Sequence, residues 1–268
     1  EVVEKLAANP IFAKAESVKP GFLNLKIDEA YLADYVAKMQ EDEGRFGCEK
    51  TEAPKTIMID YGGANVAKPL HIGHLRSAII GESIKRIARA AGHKVIGDIH
   101  LGDWGLQIGL VITELQVRYP EWRCFAADFD PAADEIAPLN TALLSEVYPF
   151  ASKKSKTDEE YAKKAHQATY ELQNGRPGYI ALWKEILRVS IEDMKGNYEK
   201  LGVTFDLWYG ESTADRYVPR LMNILAEKNL LTESDGALIV EVADPEDKAP
   251  MPPVIVRKSD HSSNYATT

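Results

Sequence analysis

The stretch that decides the fold runs from residue 56 to residue 74 and reads Thr56-Ile-Met-Ile-Asp-Tyr-Gly-Gly-Ala-Asn-Val-Ala-Lys-Pro-Leu-His-Ile-Gly-His74. Its first part, Thr56 to Tyr61, is apolar and is closed by two glycines, which predicts a buried strand. Residues 62–70 read as a loop. From Ile72 onward, apolar residues recur at 72, 75, 79, 84, 87, 88 and 91, which is the spacing of one helix face.

The next strand completes a strand–helix–strand unit. Gly92 follows the helix at the position where a left-handed backbone costs glycine little. Lys94 to Ile99 is again apolar and predicts a second strand. A strand–helix–strand unit of this length predicts a right-handed crossover between parallel strands. The fold class is therefore α/β with a parallel sheet.

Working outward, the segment before this unit is a smaller α/β piece, over residues 1–45. Phe22 to Ile27 alternates apolar and polar residues like a strand, and Asp28 is a candidate N-cap for a helix over 29–41. The polar, glycine-containing segment 44–54 predicts a linker. The main α/β domain is predicted to cover 55–268.

Toward the C-terminus the helical pattern dominates and then gives way to strands. Residues from about 106 to 201 read as mostly helical, and 119–201 are predicted to be an insertion into the α/β domain. One long helix, ended by Gly202, has an apolar face that predicts core packing. That face consists of Trp183, Leu187, Ile191, Met194, Tyr198 and Leu201. Segments 237–242 and 253–257 predict strands after a Ser-Asp-Gly turn at 234–236.

Composition predicts a soluble globular protein of the cytoplasm. The chain is 45% hydrophobic and has no run of about 18 apolar residues, which predicts no transmembrane helix. Cys48 and Cys124 match no zinc spacing and are expected to be free thiols. The net charge of -9 argues against strong non-specific binding to nucleic acid. A lysine run nevertheless leaves two readings open, phosphate contact or a solvated helix face. It comprises Lys153, Lys154, Lys156, Lys163 and Lys164.

The residues best suited to chemistry are His71 and His74, which lie where the loop becomes a helix. A helix N-terminus offers free N–H groups and a positive dipole end to phosphate. Two histidines three residues apart point the same way and add hydrogen-bond donors. Gly73 between them has no side chain, so a flat ring can approach the backbone. The pattern suits stabilisation of charge on an α-phosphate by positioning and electrostatics, with no covalent enzyme intermediate. Two surface histidines are the alternative, and no zinc-ligand pattern surrounds them.

These residues resemble the HIGH signature of class I aminoacyl-tRNA synthetases and related nucleotidyltransferases. The wider string from Asp60 to Ser77 is similar to the arginyl branch in particular. So are Gly102-Asp-Trp-Gly105 followed by Gln107, and Phe205-Asp-Leu-Trp208 with Glu211-Ser212. The resemblance runs from about residue 55 to the last residue. It implies the Rossmann-like parallel sheet of class I aminoacyl-tRNA synthetases with a helical insertion, and an arginine–tRNA ligase that activates arginine with ATP.

The resemblance also implies roles for single residues, each with a structural alternative such as a turn cap, a solvated lysine or core packing. The catalytic residues would be His71, His74 and Lys68. ATP would contact His71, Gly73, His74, Gly102, Asp103 and Gly105. Arginine would contact Asp60, Gly63, Ala64, Asn65, His74 and Tyr265. Read from the residues alone, 102–105 is first a tight turn, and its place after a parallel strand makes nucleotide contact plausible.

The remaining implications concern partners and the extent of the chain. The family needs ATP with Mg²⁺, and tRNA as acceptor and usually as activator, while no residue is assigned to a metal. We expect a monomer with no membrane contact. Residues 1–45 resemble only the C-terminal remnant of the family's appended N-terminal domain. After Thr268 the family continues with an aspartate that reads the guanidinium, a second signature loop and an anticodon-binding domain. We therefore expect a piece truncated at both ends and inactive by itself.

Two departures from the family pattern and two other functions remain open. Gly63-Ala64 stands where Ser-Pro or Ala-Pro is usual, and His261 replaces a turn glycine after Asp260. The first alternative function is a HIGH-superfamily nucleotidyltransferase that acts on a small carboxylate without tRNA. The second is a non-catalytic nucleic-acid-binding module, which predicts no ATP binding.

Overall fold

A computed structural model describes residues 2–41, 44–244, 246–247, 249, 251–259 and 267. The chain forms two compact units, residues 1–57 with 86–95, and residues 58–85 with 96–268.

The first unit contains a helix, a hairpin and a second helix. Their bounds are α1 Val2–Ala7, β1 Phe12–Val18, β2 Phe22–Ile27 and α2 Glu29–Glu41. The two strands pair antiparallel, with Lys14 opposite Lys26. The carboxylate of Asp28 accepts the N–H of Tyr31 at 3.0 Å, which is the N-cap contact that the sequence predicted. The predicted strand and helix of this segment are thus confirmed.

The decisive stretch contributes a strand and a helix to the α/β core. The three strands of the sheet are β3 Thr56–Asp60, β4 Lys94–Leu101 and, much later in the chain, β5 Leu207–Gly210, and the helix α3 Ile72–Ala90 connects β3 to β4. The strand order is β3-β4-β5, and β4 pairs parallel with β5, Leu101 lying opposite Gly210. Gly92 follows α3 with a φ of +92°, as expected of a helix C-terminus. The strand–helix–strand prediction is confirmed.

The predicted burial of the first strand is wrong. Residues of β3 are alternately exposed and half-buried, and Met58 is 60% exposed. The alternation shows that one face of β3, which carries Thr56, Met58 and Asp60, is open to solvent, although the strand also lies at the edge of the described sheet. Tyr61, one residue past the strand, is the buried one.

Four helices pack on one another and share one core with β4. They are α4 Leu106–Arg118, α5 Thr141–Lys154, α6 Glu159–Gln173 and α7 Pro177–Lys200. Asn140 and Asp158 cap α5 and α6 by accepting backbone N–H groups at 2.8 and 2.9 Å. Fully buried members of the core are Ile99, Ile108, Ile112, Leu115, Leu172, Leu182 and Ile186. The predicted insertion, 119–201, contains α5, α6 and α7.

The predicted apolar face of α7 packs on this core except at its end. Met194 and Tyr198 are buried, and Trp183, Leu187 and Ile191 are partly buried against the same cluster. Leu201 is 43% exposed, so its assignment to the core is wrong. It lies beyond the last helical turn, at the C-cap, where the helix periodicity no longer applies.

The C-terminal part contains two short helices and a small antiparallel sheet. Their bounds are α8 Glu211–Ala214, α9 Val218–Glu227, β6 Leu231–Ser234, β7 Ala237–Val240 and β8 Val254–Arg257. Both strands predicted here are confirmed, each somewhat shorter than expected. Within the described residues, no helix is long and apolar enough to cross a membrane.

Two lysines of the run lie on a solvated helix face, and phosphate contact by the other three stays a prediction. Lys163 and Lys164 pair one turn apart with Glu159 and Glu160, at 2.8 and 3.1 Å, on the exposed face of α6. These two lysines therefore belong to a solvated helix face. Lys156 instead lines a cavity beside the candidate site.

Candidate active site

The loop after β3 runs alongside the end of β4. Asn65 and Gly102 form a parallel bridge, in which the N–H of Gly102 donates to Ala64 at 3.1 Å and the N–H of Val66 donates to Gly102 at 3.0 Å. The side chain of Asn65 lies directly against Gly102. The structure thus brings together the loop predicted to hold an amino acid and the turn predicted to contact a nucleotide, at the carboxyl ends of neighbouring strands.

The two histidines form a stacked pair at the N-terminus of α3. Their ring centroids are 3.7 Å apart with an interplanar angle of 18°. The N–H of Gly73 donates to Nδ1 of His71 at 3.2 Å, and the N–H of His71 donates to Nδ1 of His74 at 3.3 Å. Because Nδ1 accepts in both rings, a neutral ring carries its proton on Nε2. Each ring therefore has one N–H donor remaining.

Gly73 leaves room for the ring of His71. A Cβ at residue 73 would lie 3.0 Å from Cε1 and 3.1 Å from Nδ1 of His71, a tight contact that the ring would have to relieve by a small shift. The approach of a ligand's flat ring to the backbone at Gly73 stays a prediction.

His74 is held in its neutral form by its surroundings. Partial burial lowers the pKa of His74, and the neighbouring His71 and Lys68 lower it further. Lys68 lies with its Nζ 4.5 Å from the centre of the Tyr148 ring. It follows Ala67, a buried residue with φ +59° whose N–H donates to Ser190 at 3.0 Å. This strained residue turns the chain so that Lys68 lies on the tyrosine.

Asp103 has its carboxylate inside the protein. The carboxylate accepts the N–H of Ser212 at 2.9 Å and the hydroxyl of Ser212 at 2.5 Å, and its side chain is 3% exposed. Burial raises the pKa of Asp103, although the bonds from Ser212 lower it. The carboxylate thus ties the end of β4 to α8, and contact between Asp103 and a nucleotide stays a prediction.

A second carboxylate adjoins Asp60, and the sequence reasoning missed it. Asp98, on β4, is 9% exposed, and its Oδ1 has no hydrogen-bond partner among the described residues. Burial raises the pKa of Asp98, and the charge of Asp60 raises it further. Asp60 is the last residue of β3 and Asp98 lies within the neighbouring β4, so two negative charges come together here.

Glu211 is the other side chain that the sequence reasoning left without a role. It begins α8, directly after β5, and lines a cavity of about 440 Å³ together with Trp104, Gln107 and Tyr148. Burial raises the pKa of Glu211, and the charge of Asp103 raises it further. The only signal in the sequence was Glu211-Ser212 within the family-like motif that follows Phe205.

The remaining predicted residues divide into two groups. Gly63, Ala64 and Gly105 lie in the loop and turn just described, and Gly105 precedes α4 as its N-cap. Tyr265 and the turn at Asp260 and His261 lie outside the described residues. In the part of the chain that the structure describes, no group of three metal-binding side chains occurs.

Comparisons with known proteins show the family of the chain. Residues 36–268 match the family described as tRNA synthetases class I (R), catalytic domain. The chain is 52% identical over its whole length to an arginine–tRNA ligase of Agathobacter rectalis, and covers 45% of that protein. It is 50% identical over 96% of its length to an arginine–tRNA ligase of Alkaliphilus oremlandii, covering 44% of it. The chain thus spans about half the length of the curated relatives that it matches.

Solved structures give the same fold. An arginyl-tRNA synthetase from Plasmodium falciparum matches 99% of this chain with a TM-score of 0.65 and 22% identity, over 44% of its own chain. The arginyl-tRNA synthetase from Thermus thermophilus matches 99% with a TM-score of 0.61 and 20% identity, over 42% of its own chain. At these identities the likeness shows the fold alone, and the predicted Rossmann-like sheet with a helical insertion is confirmed.

Proposed function

Because this chain belongs to the family of class I tRNA synthetase catalytic domains for arginine, we propose that it holds the arginine- and ATP-binding site of an arginine–tRNA ligase. In the first step, the carboxylate of arginine attacks the α-phosphorus of ATP, arginyl-adenylate forms and pyrophosphate leaves. In the second step, a ribose hydroxyl at the end of tRNA attacks the arginyl carbonyl and AMP leaves. The observation that carries the proposal is the pair of Nδ1-anchored histidines at the end of the same loop that bridges to Gly102 through Asn65.

The histidines would act on the phosphate. Their free Nε2–H donors and the N-terminus of α3 supply fixed positive dipoles where charge develops during the transfer. Because the backbone already holds both rings, little reorganisation is needed when the transition state forms. Lys68 would add a positive charge close to the same phosphates, from its position over Tyr148.

The loop after β3 would hold the common part of the amino acid. Asn65, with backbone groups of Gly63 and Ala64, would bind the carboxylate and amino groups. Asp60 together with Asp98 would attract the α-ammonium, since the two carboxylates lie on neighbouring strands and repel each other when no cation is present. Tyr265 would pack near the guanidinium, as the family resemblance implies.

Glu211 would read the guanidinium. A carboxylate is the natural acceptor for the paired N–H groups of a guanidinium, and burial strengthens such a charge-assisted contact. Glu211 lines the cavity next to the 102–105 turn and is already destabilised by burial and by Asp103. A bound cation would relieve that repulsion.

Glu211→Gln is therefore expected to stabilise the unliganded protein while weakening arginine binding. The pKa of Glu211 is higher in the folded protein than in the unfolded chain. Its protonated form therefore stabilises the fold at low pH, and this stability is lost as the pH rises through the folded-state pKa. At neutral pH the charged carboxylate of Glu211 destabilises the fold. Compared with the wild type, the variant should have a higher Tm at pH 7. Its Tm should rise less than that of the wild type when the pH is lowered toward 5, and its arginine KM should be about 100-fold higher. Thermal unfolding at both pH values and kinetics of the intact protein measure this. A lower Tm at pH 7 with an unchanged arginine KM would contradict it.

Magnesium would enter with ATP. Mg²⁺ is usually held by substrate phosphates and water, with only one or two carboxylates from the protein. We further propose that the protein acts in the cytoplasm as a monomer. Arginine-dependent exchange of pyrophosphate into ATP, with tRNA present, tests the proposed function.

A further inference from the structure

A buried cluster of polar side chains lies below the loop after β3. We name it the clamp, and it consists of Tyr61, Glu82, Lys85 and Thr204. Nζ of Lys85 lies 2.7 Å from Oε2 of Glu82 and 2.9 Å from the hydroxyl of Thr204, and it also contacts the carbonyl of Thr204. The N–H of Thr204 donates to the same Oε2 at 3.1 Å. Lys85 is 1% and Glu82 is 6% exposed, so the pair is shielded from water.

Tyr61 connects the clamp to the backbone that leads into the loop. Its hydroxyl lies 2.8 Å from the carbonyl of Thr204 and 3.1 Å from Oε2 of Glu82. Its ring lies against Gly81 of α3, where any Cβ would overlap the ring atoms. The ring therefore has room only because residue 81 is glycine. The backbone N–H of Tyr61 donates to the backbone carbonyl of Asp98 at 3.1 Å, so hydrogen bonds hold both the backbone and the side chain of Tyr61.

A second tyrosine holds the next residue. The hydroxyl of Tyr198 donates to the carbonyl of Gly62 at 3.1 Å, and burial raises the pKa of Tyr198 to about 12. Phe205 lies between the two tyrosines, with ring centroids 4.5 Å from Tyr61 and 5.1 Å from Tyr198. Two hydroxyls and an aromatic ring thus hold residues 61 and 62, immediately before Gly63.

The clamp joins the two halves of the candidate site. Glu82 and Lys85 belong to α3, the helix whose N-terminus carries His71 and His74. Tyr61 leads into the loop that carries Asn65. A buried ion pair adds little net stability over apolar packing, so its presence here needs another explanation, and fixing one geometry is the best attested.

We propose that Tyr61 and Tyr198 are positioning residues that hold the 62–65 loop in its arginine-binding conformation, with the Glu82–Lys85 pair as their anchor on α3. This inference rests on the proposed function, because it takes arginine as the ligand of that loop. Each tyrosine hydroxyl donates a hydrogen bond to a backbone carbonyl inside the protein, so the proposed role of neither residue is contact with a substrate.

Tyrosine-to-phenylalanine variants of the intact protein test the inference. Tyr61→Phe and Tyr198→Phe keep the rings and remove one hydroxyl each. A matched control is Tyr161→Phe, since Tyr161 is 4% exposed and donates to the buried Glu114 at 2.7 Å within the helical insertion. All three variants lose a buried hydrogen bond and should lose similar stability. Pyrophosphate exchange, measured well below every Tm, then separates positioning from stability.

We expect Tyr61→Phe and Tyr198→Phe each to raise the arginine KM about tenfold, the effect of roughly one hydrogen bond. The ATP KM and kcat should change less than about twofold, because a loosened loop weakens ground state and transition state alike. Tyr161→Phe should leave all three constants unchanged. If Tyr61→Phe fails to fold, the arginine KM of Tyr198→Phe alone tests the inference.

Two results would overturn the inference. The first is an arginine KM within twofold of the wild-type value in both Tyr61→Phe and Tyr198→Phe. The second is a rise of the arginine KM in Tyr161→Phe as large as the rise in those two variants. A wild-type protein without arginine-dependent exchange would overturn the proposed function and this inference together. An active wild type with unaffected variants would overturn this inference alone.

Discussion

His74→Ala is expected to lower the kcat for arginine activation by about 100- to 1000-fold, the usual cost of losing one preorganised donor to a developing negative charge. The ring is stacked on His71 and oriented by a backbone N–H, so its Nε2–H is ready before the substrates bind. Its lowered pKa agrees with Nδ1 acting as an acceptor. Because the donor acts mainly on the transition state, the ATP KM should change much less than kcat.

The matched control for this variant is His166→Ala, an exposed histidine on α6. Single-turnover formation of the adenylate by the intact protein measures the effect directly. A kcat within fivefold of wild type, with the control equally active, would remove His74 from the catalytic machinery. The remaining interpretation would be that His71 and His74 are two surface histidines with no catalytic role.

Glu82→Ala is expected to destabilise the fold by about 3–5 kcal/mol, because it leaves the Lys85 ammonium buried without its carboxylate. Urea unfolding of this chain, followed by circular dichroism, measures the loss. The double variant Glu82→Ala/Lys85→Met should recover much of the loss, since no buried charge then remains.

Glu159→Ala is the control for the ion pair. Glu159 pairs with Lys163 at 2.8 Å on the surface, where such a contact contributes little. If Glu82→Ala unfolded at the same urea concentration as Glu159→Ala, the Glu82–Lys85 pair would not be an anchor. A double variant less stable than Glu82→Ala would lead to the same conclusion.

The parts of the fold and site that could be predicted from the sequence are local. The helix after residue 72, the glycine that ends it and the histidines at its start are all encoded within one short stretch. Hydrogen-bond and dipole arguments at a helix N-terminus need no knowledge of the rest of the chain. For that reason the position of His71 and His74 was predicted correctly.

Contacts between distant segments could not be predicted in this way. Asp103 meets Ser212 across 109 positions, and Tyr61 meets Thr204 across 143 positions. No periodicity encodes either contact, so the inward direction of Asp103 and the clamp were both missed. The burial of β3 was misjudged for a related reason, because whether a distant segment covers one face of an apolar strand or both faces cannot be read from the strand itself.

The most direct test of the proposed function is arginine-dependent pyrophosphate exchange into ATP, measured on the protein with tRNA present and without it. We predict exchange with arginine alone among the amino acids, and only when tRNA is present. Exchange that depends on another carboxylate, or proceeds equally without tRNA, would favour a small-molecule nucleotidyltransferase. No exchange under any of these conditions would contradict the proposed function.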